Sequence, residues 1–413
     1  MKNFLSLGKN FWLYRFSFLL SSLTSIATNI SINWWILDTY QKAIYVSYTL
    51  IPATIIYISI SFLLSPLGDK FSRKKLIQIG ILIQISAFII LIIIYNFLLL
   101  DIFYLIVFQA LFSLGNGIAR IGSTSFIVDI VEENRITEAN NIIMRLNSAI
   151  SILSLIFGGA IVAYFDFIIA FSIYLILSIC SIFLISLINV YNNVNLNKNI
   201  KFFDDLLLGI KYTITSDVIR GLFFYSMIMG IVFGPLQLII IYIIKEIMKM
   251  SSFDYSFAMS GMSIGIILGS YLYEKIKAKF SYMHLFMVFS SCLFILGLVC
   301  IYFSYYSNVF IFAMIMIGIA RNWINVTVDS HLLKTLDPAI RTKVLLNMSF
   351  FGNISVPLSA LFTGGLLDTL GIPFILLTNI VLVGIAIGVF LFNQAVIGFL
   401  NSPVDRAKQM LHF

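Results

Sequence analysis

The segment Ser65-Pro66-Leu67-Gly68-Asp69-Lys70-Phe71-Ser72-Arg73-Lys74-Lys75 places one acidic and four basic side chains between two long apolar runs. Charged side chains are costly within the hydrocarbon of a bilayer, and Lys and Arg accumulate in the short cytosolic loops of membrane proteins. The segment therefore predicts a cytosolic turn that connects two membrane-spanning helices.

The composition of the whole chain favours a membrane protein. Hydrophobic residues make up 60% of the 413 residues and charged residues 11%, whereas about 25% of the residues of a typical soluble domain are charged. A spanning helix needs about 20 mostly apolar residues and closes its backbone hydrogen bonds internally. The apolar runs predict an all-α membrane protein with about twelve spans, at 12–38, 43–67, 76–99, 103–129, 139–164, 168–190, 220–244, 255–273, 282–305, 308–332, 344–367 and 373–395.

The distribution of Lys and Arg predicts the orientation of the chain. If the N-terminus is cytosolic, most of the 26 Lys and Arg residues fall in cytosolic segments, and the outer segments hold only Lys42, Lys245 and Lys249. Because positive residues are retained on the cytosolic side, both termini are predicted to be cytosolic. The net charge of +8 then reflects topology and attraction to anionic lipid headgroups rather than nucleic-acid binding.

The chain contains an internal repeat. Gly117-Ile118-Ala119-Arg120 recurs as Gly318-Ile319-Ala320-Arg321, Asp129 corresponds to Asp329, and the charged turn corresponds to a second segment that begins at Ser270. The repeat predicts two halves of six helices each. The predicted domains are an N-terminal half at 1–190, a cytosolic linker with an amphipathic helix at 191–218, a C-terminal half at 219–398 and a cytosolic tail at 399–413.

The charged turn resembles the signature loop of major facilitator superfamily transporters. Asp69, Lys70, Arg73 and Lys74 match the charged positions of that loop, whereas serine replaces its two glycines. The resemblance implies the major facilitator fold, with its two six-helix halves.

Two further loops resemble the macrolide-efflux branch of this superfamily, which groups with catecholate-siderophore exporters. They are Glu132–Asn140 and Asp337–Lys343. In the fifth span, the glycine pair Gly158-Gly159 is retained from the antiporter pattern, and Phe112 in the fourth span stands where drug antiporters have arginine. The branch implies a monomeric efflux protein of the plasma membrane, an antiporter that exports a small molecule by alternating access, is driven by a proton gradient and confers drug resistance.

Five residues are predicted to gate the transport path on its cytosolic side. Asp69 is predicted to bind the N-terminus of the eleventh span, and Arg73 to pair with Asp129 at the end of the fourth span. Glu274 and Asp329 are the counterparts of Asp69 and Asp129 in the second half. Such contacts would form in one state of the transporter and break in the other. The alternative, that the charges only set the topology, is favoured for the three lysines of the turn.

Charges within the spans usually face a water-filled path, and here they are nearly all arginines. Arg120, Arg145 and Arg321 are predicted to hold an anionic or polar substrate, because the planar guanidinium matches carboxylate or phosphate. Alternatively, Arg120 and Arg321 pair with backbone carbonyls or nearby acids and only brace the helices. Arg15 is predicted to extend toward the lipid headgroups. Other residues predicted to line the cavity are Asn29, Asn33, Asn116, Asn147, Gln237, Asn322, Trp323 and Asn325.

Several function classes lack their motifs. The sequence has no P-loop, no H-E-x-x-H and no G-x-S-x-G, so neither ATP-driven transport within this chain nor an enzyme is predicted. Cys180, Cys292 and Cys300 have no metal-ligand spacing, and no metal or cofactor is predicted. The predicted partners are a small-molecule substrate, a coupling ion that is a proton, and membrane lipid. Two alternatives remain open, a lipid or lysolipid flippase and a polytopic protein that does not transport.

Overall fold

The computed structural model describes residues 7–63, 71–97, 99–124, 126–132, 135–190, 210–303, 307–336 and 338–411. Helices account for nearly all of these ranges, and no strand occurs within them. The predicted all-α fold is therefore confirmed. Asp69 and residues 191–209 of the predicted linker lie outside the described residues.

The chain divides into two compact units. The first comprises Met1–Ile200 and Ile244–Phe257, and the second comprises Lys201–Ile243 and Ala258–Phe413. The second half of the sequence contains one segment, Ile244–Phe257, that belongs to the first unit and that we call the exchanged segment. It follows the start of the second half in sequence, yet it packs with the helices of the first unit.

Up to residue 190, the described part of the first unit contains seven helices. They are α1 (Gly8–Tyr40), α2 (Ala43–Leu63), α3 (Arg73–Phe97), α4 (Ile102–Ser123), the short α5 (Ile127–Ile130), α6 (Ile136–Tyr164) and α7 (Phe167–Ser186). A core at one end of this unit joins α1, α3, α5, α6 and α7 through buried side chains that include Phe11, Ile81, Phe126, Ile142 and Ile185.

The remaining helices lie in the second half of the sequence. They are α8 (Asp217–Phe233), α9 (Leu236–Tyr242), a π-helix (Ile243–Ile247), α10 (Ser252–Lys277), α11 (Met283–Phe303), α12 (Ser307–Thr335), α13 (Pro338–Phe392), α14 (Gln394–Asn401) and α15 (Val404–Gln409). The break between α8 and α9 falls at Gly234 and Pro235, because proline cannot donate the helical hydrogen bond.

Ten helical segments in the described ranges are long and apolar enough to cross a membrane. The predicted number of about twelve differs for two physical reasons. Helix α1 has 33 residues but is rich in Ser, Thr and Asn, which lowers its mean hydropathy. Helix α13 counts once, although the backbone of Gly371 leaves the helical region with φ of 76° and ψ of 179° and divides it into two spans.

The repeated tetrapeptide has the same packing role in both units. A Cβ atom at Gly117 of α4 would lie 2.8 Å from Ile60 of α2, and one at Gly318 of α12 would lie 2.2 Å from the backbone oxygen of Met262 in α10. Each glycine therefore permits close packing between two helices, which membrane helices achieve with small residues. An arginine follows each glycine three residues later, Arg120 in α4 and Arg321 in α12.

Candidate functional site

The predicted contact between Arg73 and Asp129 is present in the first unit. Nη1 of Arg73, the first residue of α3, lies 2.5 Å from Oδ1 of Asp129 in α5, and their side chains are 13% and 4% exposed. Burial raises the pKa of the Asp129 carboxyl above its ordinary value, although the charge and hydrogen bond of Arg73 act in the opposite direction. The pair is thus a buried charge contact, and its gating role remains a prediction.

The corresponding positions of the second unit carry no such pair. Asp329 is exposed and forms no ion pair with any described residue. Glu274, the counterpart of Asp69, is also exposed and lines a small cavity of about 310 Å³ together with Lys277. The gating roles of Glu274 and Asp329 remain predictions.

A larger cavity lies within the second unit. Its volume is about 740 Å³, and residues of α8, α12 and α13 form its walls. The wall from α12 contains Arg321, Asn325 and Asp329, which are spaced four residues apart and so share a broad face of one helix. These three predicted residues are therefore brought together in one cavity.

Arg321 is the positive group of this cavity. Its guanidinium is half-buried and lies 4.9 Å from the ring centroid of Phe233, which also lines the cavity. It forms no ion pair with any residue that the structure describes. A cation over an aromatic ring gains only about 0.5–2 kcal/mol, so Arg321 retains its capacity to bind an anion.

Asn322 and Trp323 lie on a different face of α12. Nδ2 of Asn322 donates to Oγ of Ser270 at 2.9 Å, and Nε1 of Trp323 donates to the backbone oxygen of Gly269 at 2.8 Å. The side chain of Trp323 is 4% exposed and packs with Tyr273 and Phe286. This placement makes both residues helix–helix contacts with α10 instead of walls of the cavity.

A conservative substitution tests this placement. Trp323→Phe is expected to reduce the free energy of unfolding by about 1 kcal/mol, because it removes one buried hydrogen bond. The affinity of any cavity ligand should not change. Denaturant unfolding in detergent measures the first effect and ligand titration the second, and a loss of affinity without a loss of stability would contradict the placement.

Two of the asparagines predicted to line the cavity from the first unit, Asn29 and Asn116, form separate hydrogen-bonded pairs. Nε2 of Gln109 donates to Oδ1 of Asn29 at 3.2 Å, and Nε2 of Gln84 donates to Oδ1 of Asn116 at 3.1 Å. Asn33 is 1% exposed, and neither polar atom of its side chain has a hydrogen-bond partner. Gln84 and Gln109 were missed by the sequence analysis, although a glutamine within a span is itself a signal because it must find a partner.

Arg15 corrects one prediction. It was expected to extend toward the lipid headgroups, but the residue is 4% exposed and its Nη2 donates to Oδ1 of Asn147 at 2.7 Å. Its guanidinium also lies 4.7 Å from the ring centroid of Phe18. The arginine is therefore directed into the first unit, where Asn147 and an aromatic ring replace lipid headgroups as its neighbours.

Three other residues that were predicted to bind substrate do not line the cavity of the second unit as the structure describes it. Arg120 is exposed in the last turn of α4, with its guanidinium 5.8 Å from the ring centroid of Tyr57. The side chain of Arg145 lies outside the described residues. Gln237 is half-buried in α9 and does not line the cavity of the second unit. Their roles in substrate binding remain predictions.

Lys245 in the exchanged segment was expected in an outer loop, but it is buried. Its Nζ lies 2.5 Å from Oδ1 of Asp38, donates to the backbone oxygen of Trp34 at 2.5 Å and lies 4.7 Å from the indole ring centroid. Lys245 is 9% exposed, whereas Asp38 is 63% exposed. Three contacts from one ammonium group thus bind the exchanged segment to the end of α1. Among the described residues, no group of three or more His, Cys, Asp or Glu side chains is placed to hold a metal ion.

The sequence matches a protein-family model, and the fold matches solved structures. A family model described as Major Facilitator Superfamily matches residues 16–279. Among solved structures, the chain is similar to a variant of the nucleoside transporter NupG, with a TM-score of 0.76 and 14% identity over 94% of this chain and 100% of that chain. No curated protein matches the sequence.

Two further solved structures share the fold. A bacterial homologue of the iron transporter ferroportin, in an inward-facing state, has a TM-score of 0.72 and 13% identity over 93% of this chain and 98% of that chain. A bacterial homologue of the human lysosomal transporter Spinster has a TM-score of 0.66 and 13% identity over 93% and 98% of the two chains. At these identities the likeness shows the fold alone.

Proposed function

Because the chain belongs to the Major Facilitator Superfamily, we propose that it is a secondary active transporter that exports a small anionic or polar solute by alternating access. The observation that carries this proposal is Arg321, a half-buried guanidinium that lines a cavity of about 740 Å³ without an ion-pair partner among the described residues. Sites for small molecules typically measure about 300–1,000 Å³.

The chemistry of Arg321 favours an anionic group on the solute. A guanidinium keeps its charge at all physiological pH values and donates in a planar fork that fits carboxylate and phosphate. The alternative bracing role would need an acid or a carbonyl as its partner, and the contact found for the Arg321 guanidinium is with the ring of Phe233. Asn325 adds a neutral polar side chain to the same wall.

The proposed direction and driving force of transport are supported by the sequence resemblance and not by the cavity. Export coupled to a proton gradient follows the resemblance to the macrolide-efflux and siderophore-exporter branch, and drug resistance would follow if the solute is an antibiotic. One structural neighbour is named as a nucleoside transporter and another as a homologue of an iron transporter, so the fold leaves the solute open. The Lys and Arg bias supports cytosolic termini, and we place the protein in the plasma membrane as a monomer.

A lipid or lysolipid flippase is the second proposed function. Apolar side chains form much of the cavity wall, among them Met229, Phe233, Ile324, Val328 and Val356. An acyl chain would contact these side chains while the lipid phosphate binds Arg321. A protein of the same fold that does not transport would show flux of neither class of solute.

Flux into inverted membrane vesicles tests these functions. Macrolides, catecholate siderophores, small organic anions and lysolipids are offered with and without an imposed pH gradient. We expect gradient-dependent accumulation of an anionic or polar solute. Arg321→Gln is expected to raise the solute concentration that gives half-maximal flux about tenfold, since a hydrogen bond to a charged group contributes about 1.5–3 kcal/mol.

Arg220→Gln is the matched control for Arg321→Gln. Arg220 forms an exposed ion pair with Asp217, with side chains 61% and 69% exposed, and such pairs contribute little. The control should transport like the wild type. Unchanged solute affinity in Arg321→Gln would contradict the proposed site, and lysolipid flux alone would favour the second function.

A further inference from the structure

The cavity of the second unit contains one acid opposite in charge to Arg321. Among the described residues that line it, Arg321 and Asp329 carry the charges, and both belong to α12. We propose that this cavity binds an amphoteric solute whose anionic group contacts Arg321 and whose cationic group contacts Asp329, about 12 Å away along the helix. The proposal rests on the proposed transport function and specifies its substrate class.

The two units differ in a way that leaves Asp329 available for a ligand. In the first unit, Asp129 is paired with Arg73 at 2.5 Å. The charged turn repeats with an offset of 205, from Asp69 to Glu274, and this offset places Ala278 at the position of Arg73. The second unit therefore lacks the arginine that would neutralise Asp329.

The helix geometry also differs between the repeats. Helix α4 ends at Ser123, and Asp129 follows in the separate helix α5. In the second unit α12 continues without a break from Ser307 to Thr335. The interval from the repeated arginine to the acid is nine residues in the first unit and eight in the second. On a continuous helix, an interval of eight places the acid two turns further along the broad face that holds Arg321.

The spacing of the charges sets the length of the solute. Eight residues of α-helix rise by about 12 Å, at about 1.5 Å per residue. A ligand that reaches both side chains therefore carries its own charges roughly 12 Å apart, which corresponds to between about three and four extended residues of a peptide backbone. Asn325, between the two charges, offers an amide that can bond to a polar middle section of the ligand.

Charge complementarity provides specificity for such a solute. A ligand with an anionic group alone satisfies Arg321 but leaves the Asp329 carboxylate without a partner in the occupied cavity, and this costs binding free energy. A ligand with a cationic group alone pairs with Asp329 but leaves the Arg321 guanidinium without an anionic partner. An amphoteric ligand of the correct length neutralises both charges at once.

Three matched peptides test the proposal on the purified full-length protein. Triglycine carries both charges, N-acetyltriglycine carries only the anion, and triglycinamide carries only the cation. We expect the wild type to bind triglycine about tenfold more tightly than either of the others in calorimetric or thermal-shift titrations. Asp329→Asn should remove the advantage of triglycine over N-acetyltriglycine, and Asp329→Glu should retain it. Arg321→Gln should weaken both.

The outcomes separate this proposal from the proposed function. If the wild type binds triglycine and N-acetyltriglycine equally, the amphoteric site is overturned, while Arg321-dependent binding of both would leave the anion site intact. If Arg321→Gln changes neither affinity, or neither peptide binds, the amphoteric site is overturned, whereas the proposed transport function fails only if the vesicles show no flux of an anionic or polar solute. Glycerophosphoethanolamine, a lipid headgroup with the same two charges only a few bonds apart, is the length control. Asp329-dependent binding of this short compound in preference to triglycine would overturn the assigned spacing.

Discussion

Asp129→Ala is expected to lower the free energy of unfolding by about 3–5 kcal/mol, because it leaves the charge of Arg73 buried without a partner. The side chains of Arg73 and Asp129 are 13% and 4% exposed, so water cannot solvate the remaining guanidinium well. Denaturant unfolding in detergent measures the loss. Arg73→Ala should cost a similar amount for the converse reason, since the Asp129 carboxylate would then be unpaired.

A double variant separates the free-energy penalty of one buried, unpaired charge from the net contribution of the ion pair to stability. Arg73→Met combined with Asp129→Leu replaces both charges with apolar groups, and such replacements are often neutral. The free energy of unfolding of the double variant should therefore be higher than the value expected from adding the losses of the two single variants. Asp217→Ala is the exposed control, and we expect it to cost at most about 1 kcal/mol. A loss this small in Asp129→Ala would show that water reaches the Arg73 charge.

The same pair predicts a pH dependence with a defined sign. Burial raises the pKa of the Asp129 carboxyl in the folded protein, whereas the unfolded chain has the ordinary value of about 3.9. As the pH rises between these two values, the unfolded state releases its proton first, so the contribution of Asp129 to stability decreases with increasing pH. Asp129→Asn should remove this decrease, which stability curves in the acid range can measure.

The fold followed from the sequence because lipid leaves few alternatives. The apolar runs and the positive turn indicated all-α spans in two repeated halves, and the family match and the structural neighbours confirm the predicted major facilitator fold. The narrower assignment to an efflux branch rests on loop residues, part of which lie outside the described residues. Neither the fold nor the family match distinguishes one branch of the superfamily from another, so the assignment to this branch stays a proposal.

The site was only partly predictable, and helical periodicity explains which part. Arg321 and Asn325 are four residues apart and share a face, but Trp323 is rotated by roughly 200° from Arg321, at about 100° per residue. The structure accordingly places Trp323 against α10, with its Nε1 bonded to Gly269. This separation was available from the sequence. The position of Asp329 in the same cavity was not, because it depends on α12 continuing where α4 ends.

Contacts between residues distant in sequence could not be predicted. The ammonium of Lys245 contacts Asp38 and Trp34 across more than 200 residues of chain, and no local pattern in either segment signals the other. The Arg15–Asn147 hydrogen bond is a similar case. Arg15 lies near the start of the first predicted span, where a long basic side chain often extends toward the headgroups. Only packing within the first unit decides that its guanidinium turns inward.

Gly159→Val is expected to disrupt the packing of the exchanged segment on α6. A Cβ atom at Gly159 would lie 2.2 Å from Oγ of Ser256 and 2.7 Å from the backbone oxygen of Ser252, whereas ordinary contacts are 3.4–4 Å. Ser252 also donates its hydroxyl hydrogen to the backbone oxygen of Gly159 at 3.0 Å. Because backbone cannot yield as a flexible side chain does, α10 would have to move by at least about 0.7 Å at its first turns to restore an ordinary contact with the backbone oxygen of Ser252.

The expected cost is about 3 kcal/mol of unfolding free energy, at the upper end for overpacked sites, together with loss of most transport activity. Gly384→Val is the matched control, because a Cβ atom at Gly384 of α13 meets nothing within 4 Å. The control should unfold and transport like the wild type. Gly159 is one of the two glycines retained from the antiporter pattern, and the contact gives that retention a physical reason, namely that only a residue without a Cβ lets α10 approach α6. If Gly159→Val were as stable and as active as Gly384→Val, the exchanged segment could not be packed against α6 in the folded, transporting protein.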